Sequence, residues 1–346
     1  MKRLPTRSFQ KATGSRVSWH ACGESAMCRL TATALLLVLV SVLLGYGEWR
    51  SFTLSPPLGP HRPSYFGFAA VDAFWDAPND REVKTNYLDE VAGFTNVAQM
   101  SASIPEASLA HRLRRFQQAE VKAILHVEAL LFDHLEDPSS PTGTRTVLLP
   151  DAQARWDTFL RVNGDLITLD RVAALYLMDE PAWNGLSQLE FSRAVATVNA
   201  SLPHLPIMMV EAYSALDRMF VPEAIDWVGF DRYGTLDPAR DRAWLADIAK
   251  VRAALSRKDQ KLVLVAETFW LPAYGEMGYP PRSMGEVAYR YFAYATHHPD
   301  VIALIGYLWP GGLDAPDQLG ARDLPTEVQQ VYKRIGAATI DRYVGR

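Results

Sequence analysis

The chain has 346 residues, 49% apolar and 21% charged, with a net charge of −4. That length and balance allow a large hydrophobic core and exclude a disordered or fibrous protein. The charge is unevenly spread. Residues 1–29 carry +5, from Lys2, Arg3, Arg7, Lys11, Arg16 and Arg29 against Glu24, which leaves −9 for the remainder. An acidic main part lacks the basic patch that nucleic-acid binding requires.

The basic flank meets Thr31–Tyr46, a run with no charged residue. A cationic flank before an apolar run predicts a transmembrane or signal segment over residues 30–47. Residues 1–29 then stay on the cytoplasmic side of the cytoplasmic membrane and the rest is exported. A signal anchor would tether it; cleavage near Gly45–Gly47 would release it. Cys22 and Cys28 both precede this run, so nothing after it can form a disulfide, a thiol nucleophile or a cysteine metal site. Pro56, Pro57, Pro60 and Pro63 mark residues 48–64 as a stiff linker.

From Tyr65 onward, short apolar runs alternate with amphipathic stretches. The runs predict eight strands: Tyr65–Val71, Asn96–Gln99, Ala123–Val127, Ala174–Met178, Ile207–Val210, Trp227–Phe230, Leu262–Val265 and Ala303–Tyr307. Residues 81–93, 107–119, 152–170, 185–200, 238–255, 283–298 and 324–343 have helical spacing, and only the link after the fifth strand is short. Eight alternations predict an α/β fold, a (β/α)8 TIM barrel over residues 65–346, of the usual ~250-residue size. An open doubly wound sheet would show a Gly-x-Gly-x-x-Gly turn after its first strand, which is absent. The stretch Ala129–Pro150 reads as a long structureless loop.

Active sites of such barrels lie where strands end. Two strands end alike: Val172–Met178 runs into Asp179, Glu180 and Pro181, and Lys261–Ala266 runs into Glu267. Acidic and aromatic residues gather at the other ends: Asp72 and Trp75 after the first strand, Glu128 after the third, Glu211 after the fifth. Asp231 and Tyr233 follow the sixth, Trp270 the seventh and Trp309 the eighth. Carboxylates accept hydroxyl hydrogen bonds and flat rings cover the apolar faces of sugars, so this rim suits a neutral carbohydrate. No His-Glu-x-x-His or Gly-x-Ser-x-Gly pattern occurs, and neither a metal nor a cofactor is expected.

The positions of Glu180 and Glu267 resemble those of the clan A retaining glycoside hydrolases, the 4/7 superfamily. In that clan a glutamate closing strand four is the acid/base and a glutamate closing strand seven is the nucleophile. The resemblance covers residues 65 to about 343. It implies catalytic roles for Glu180 and Glu267, with Tyr233 and Trp309 as their companions near the ends of strands six and eight. Tyr233 would donate a hydrogen bond that keeps Glu267 ionised. Asp179, Trp270, Trp75, Asp72, Glu211 and Asp231 would complete the substrate site. Asp179 departs from the asparagine usual before the acid/base. Three readings follow: a retaining glycosidase acting on a poly- or oligosaccharide, a substrate-assisted hexosaminidase using Asp179 and Glu180, and a non-catalytic carbohydrate-binding barrel of envelope polysaccharide assembly. Glu180 also suits a plain carboxylate at a helix start, and Glu267 a rim ion pair.

Overall fold

A computed structural model describes residues 56–78 and 81–340. The apolar segment and its basic flank lie outside the described residues. Among the described residues no helix is long and apolar enough to cross a membrane.

Among the described residues ten strands form: β1 (Tyr65–Asp72), β2 (Val97–Ser101), β3 (Lys122–His126), β4 (Phe132–Glu136), β5 (Thr144–Leu148), β6 (Val172–Asp179), β7 (Ile207–Ala212), β8 (Trp227–Asp231), β9 (Lys261–Glu267) and β10 (Val301–Tyr307). Eight of them close into a parallel barrel in the order β1-β10-β9-β8-β7-β6-β3-β2. These are the eight strands read from the apolar runs. The helices are α1 (Leu88–Val91), α2 (Ala110–Gln118), α3 (Glu128–Leu131), α4 (Ala152–Asn163), α5 (Gln188–Ser201), α6 (Arg242–Ala254), α7 (Pro272–Glu276), α8 (Met284–Thr296) and α9 (Thr326–Thr339).

Inside the barrel, residues that alternate along most of the strands meet; on β6 the adjacent Ala173 and Ala174 both belong. Ile124, Ala174, Tyr176, Met208, Val210, Trp227, Val263, Val265, Ala303 and Ile305 share one buried cluster. Burying each large apolar side chain there contributes about 1.5–3 kcal/mol. This alternation also decides which way the strand-end residues face.

Several predicted helices are shorter than their periodicity implied. Residues 81–93 yield only α1, because Lys84 folds onto Asp89 and Glu90 at 2.9 and 2.8 Å instead of joining a helix. The 152–170 stretch stops at Asn163, which is buried and uses its side chain to accept from Leu109 N and donate to Ala107 O. α5 starts at Gln188 because Ser187 caps it, accepting from Glu190 N at 3.2 Å while donating to Glu190 Oε2. Gly336, inside α9, lets that helix press on the Phe94 carbonyl; a Cβ there would stand 1.9 Å from it.

The stretch Ala129–Pro150 is not structureless. After α3 it forms the antiparallel hairpin β4–β5, paired from Phe132↔Leu148 to Glu136↔Thr144. Residues of the proline-rich linker also dock on the barrel. Gly59 N donates to Thr296 Oγ1 at 2.7 Å and His61 N to Thr296 O at 3.0 Å.

Candidate active site

Glu267 is the last residue of β9 and continues the inward phase of Val263 and Val265. It is 1% exposed. Gly234 N donates to its Oε2 at 2.7 Å, the Tyr274 hydroxyl stands beside the carboxyl, and Oε1 has no hydrogen-bond partner among the described residues. Burial pushes the Glu267 pKa up to about 7, against the pull of Tyr274 and the Gly234 amide. The expected donor was Tyr233. Instead, the Tyr233 hydroxyl serves Asp231, and its ring stacks on Tyr307 at 5.4 Å.

Glu180 follows β6 directly. Its backbone is left-handed, with φ of +50°, which turns the chain sharply between the strand and Pro181. Such a conformation in a residue with a Cβ costs about 1–3 kcal/mol, persists only when the surroundings enforce it, and clusters at active sites. Glu180 N donates to Val210 O at 2.8 Å and Glu180 O accepts from Asn184 N at 2.9 Å. The side chain is buried within hydrogen-bonding reach of Asp231, which ends β8 in the inward phase of Trp227. Burial first, and the charge of Asp179 second, push the Asp231 pKa up, so this pair of carboxyls tends to hold a proton between them.

Asp179, half-buried beside them, accepts from the Tyr176 hydroxyl at 2.5 Å and donates its own N–H to Glu128 Oε2 at 3.0 Å. Glu128 is a hub. It also accepts from His126 Nε2 at 3.1 Å and from His134 Nε2 of the hairpin at 2.8 Å. Burial alone would raise its pKa; the two histidines outweigh that and hold it at about 2. His126 is structural as well, since Gln99 Nε2 meets its Nδ1 and its ring stacks on Tyr176 at 4.5 Å.

Three of the strand-end residues face elsewhere. Asp72 is spent in an ion pair with Arg112 Nε at 2.7 Å, and the same guanidinium also grips the Asp72 and Ser101 carbonyls. Glu211 falls between the inward Val210 and the strand end, so it points to the helix side and is fully buried there. Trp309 is 3% exposed, packed edge-on to Phe68, and donates its indole N–H to Glu90 Oε2 at 2.6 Å. It borders a cavity of about 320 Å³ shared with Glu90, Phe94 and Arg322. Tyr307, in phase with Ala303 and Ile305 and paired in register with Glu267, is the aromatic residue that β10 delivers to the barrel mouth. Trp75 and Trp270 are half-buried and anchored by their indole N–H groups to Gly311 O and Tyr279 O.

Among the described residues no group of three or more His, Cys, Asp or Glu is arranged to hold a metal ion. Two buried carboxyls thus close the fourth and seventh barrel strands, each with its own neighbours. Tyr274 was missed in the sequence because it comes from α7, a five-residue helix beyond β9.

No family model and no curated protein matches the chain. Among solved structures it is similar to a glucosidase from Croceicoccus marinus, with 13% identity and a TM-score of 0.53 over 82% of this chain and 69% of that one. A GH113 β-1,4-mannanase has 11% identity and a TM-score of 0.49 over 80% and 99% of the two chains. Xylanase 10B from Thermotoga petrophila has 12% identity and a TM-score of 0.48 over 79% and 94%. At such identities the likeness to the glucosidase shows a shared fold, the closed eight-stranded parallel barrel.

Proposed function

We propose that this protein is a glycoside hydrolase that cleaves a glycosidic bond in a poly- or oligosaccharide with retention. The observation that carries the reading is the placing of Glu180 and Glu267, buried at the ends of the fourth and seventh strands of one closed barrel. In this reading Glu267 attacks the anomeric carbon while Glu180 protonates the departing oxygen, so one C–O bond forms as another breaks. Water, deprotonated by Glu180, then hydrolyses the glycosyl ester. The environments support that division of labour. Asp231 beside Glu180 favours a carboxyl kept protonated, and the Gly234 amide and Tyr274 hydroxyl favour the charged form of Glu267. Tyr307 and Tyr233 would supply the sugar platform, and Asp179 an acceptor for a substrate hydroxyl.

A second reading, the substrate-assisted hexosaminidase, draws on two observations. Asp179 is half-buried and held in place by Tyr176, as a carboxylate that steers an N-acetyl group must be, and Glu267 is only partly ionised near neutrality. A 2-fluoro glycosyl fluoride separates the two. An adduct on the Glu267 peptide supports retention through Glu267; no adduct, with tight inhibition by a thiazoline mimic of the cyclised N-acetyl intermediate, supports the second. Substrate is found by screening the full chain on a glycan panel, with Glu180→Gln as control. Export is part of the proposal: a reporter fused after Arg346 is expected to be active only outside the cytoplasm, and cytoplasmic activity would refute it.

A further inference from the structure

Glu211 was expected at the substrate, yet it faces away from the barrel mouth. Its carboxylate is fully buried and accepts three backbone hydrogen bonds: Ala182 N to Oε2 at 2.9 Å, Trp183 N to Oε1 at 3.1 Å and Ala212 N to Oε1 at 3.2 Å. The first two come from the residues that follow Pro181, which has no N–H of its own. The residue before Glu211 completes the grip, since Val210 O accepts from Glu180 N at 2.8 Å. Two consecutive residues of β7 thus hold Glu180 from both sides, one through a carbonyl and one through a carboxylate. Between them lies the left-handed backbone of Glu180, with φ of +50°. A strained turn of this kind needs surroundings that over-determine it, and the three-pronged carboxylate supplies them.

We infer that Glu211 is a positioning residue for the acid/base: it clamps the Pro181–Trp183 turn and thereby aims the Glu180 carboxyl at the departing oxygen. The inference rests on the reading of Glu180 as acid/base. The space beside Glu211, lined by Leu186, Phe191, Arg218 and Phe220, is small, about 20 Å³, room for about one water. A substituted side chain that fails to accept leaves the half-buried N–H groups of Ala182 and Trp183 without the acceptor that fixes the turn.

The test uses the full chain, Glu211→Gln, and two glycosides of the same sugar, one with an alkyl or sugar leaving group and one with dinitrophenolate. Glutamine keeps the volume but turns an amino group toward an N–H that needs an acceptor. In the first step, which kcat/KM reports, a misaimed acid slows only a departure that needs a proton; the second step, where Glu180 is the base, is slowed for both substrates alike. For the poor leaving group kcat/KM is expected to fall roughly 10–100-fold, while kcat/KM of the dinitrophenyl glycoside, which stops at formation of the glycosyl ester, loses less than about threefold. The basic limb of the pH profile, which reports the acid, is expected to move with it. Equal losses on both substrates would mean a merely structural role and overturn the inference, as would no loss at all. Should Glu211→Gln not fold, Glu211→Asp, which keeps the carboxyl group but draws the acceptors back, is judged by the same ratio. Glu180→Gln is run beside it: if that variant does not discriminate between the leaving groups, the acid/base reading fails, and the positioning role with it.

Discussion

Gly234 N holds one oxygen of the Glu267 carboxylate at 2.7 Å, while the other, Oε1, is buried without a partner among the described residues. A carboxylate satisfied on one side only is costly to keep ionised in a buried place, which is why its pKa rises from 4.5 to about 7. The sign of the consequence is fixed. A raised folded-state pKa contributes stability that is complete below about pH 4.5 and is lost as the pH rises through about 7. Glu267→Gln does not titrate and can turn its amino group to the vacant Oε1 side. Relative to the wild type it is expected to gain roughly 3 kcal/mol between pH 4 and pH 8 in urea unfolding. A difference that does not change with pH would refute this. In kinetics, kcat/KM of the wild type is expected to rise through an acid limb near pH 7, as Glu267 ionises.

Glu128 behaves in the opposite sense. Its pKa is lowered from 4.5 to about 2, so its contribution is present above pH 4.5 and lost as the pH falls through about 2. Glu128→Gln is expected to destabilise the fold by roughly 3 kcal/mol at pH 7, with the gap closing toward pH 2. Because His134 of the β4–β5 hairpin is bound to the same carboxylate at 2.8 Å, limited proteolysis should cut the variant between Glu136 and Thr144 sooner than the wild type. Equal cutting rates would show that the hairpin is held by other contacts.

The barrel was legible because strands buried on both faces must be apolar runs, and helices packed outside them must keep a three-to-four-residue period. The facing of the strand ends was legible too, by alternation rather than by position. Met208 and Val210 point inward, which already sends Glu211 outward; Ala303 and Ile305 point inward, which selects Tyr307 rather than a residue beyond the strand. Being at a strand end was too coarse a criterion. The β4–β5 hairpin escaped because most of its side chains are exposed or half-exposed, so no core imprints a clear alternation on it. Tyr274 had no signal at all, since only tertiary structure brings α7 to Glu267. The Arg112 partner of Asp72 lies 40 residues away in sequence, and nothing in that spacing announces the pair.

Trp309 and Tyr307 give a direct comparison. Trp309→Phe removes the N–H that reaches Glu90 at 2.6 Å but keeps an aromatic ring against Phe68. It is expected to lower stability by about 1–2 kcal/mol and leave KM for the glycan unchanged. Tyr307→Ala removes the ring that stacks on Tyr233 at the barrel mouth and is expected to lower kcat/KM roughly tenfold. Thermal unfolding and steady-state kinetics on both variants decide it. A raised KM in Trp309→Phe would return that residue to the substrate site.

The division of labour between the two glutamates is tested by what an external nucleophile does. If Glu267 forms the glycosyl ester, Glu267→Ala has no nucleophile and is expected to be inactive. Azide should then restore part of the turnover and give a glycosyl azide of inverted configuration, because it attacks the anomeric carbon directly in the space the carboxylate leaves. Glu180→Ala should differ. It keeps Glu267, so substrates whose leaving group needs no proton still form the ester, and the missing base then leaves that ester to accumulate. Azide, an anion that needs no proton-accepting partner to attack, should accelerate the second step and give an azide of retained configuration, since two displacements invert twice. Product configuration by NMR separates these outcomes cleanly. An inverted azide from Glu180→Ala, or full activity in Glu267→Ala, would mean that the two carboxyls closing β6 and β9 do not share one displacement mechanism.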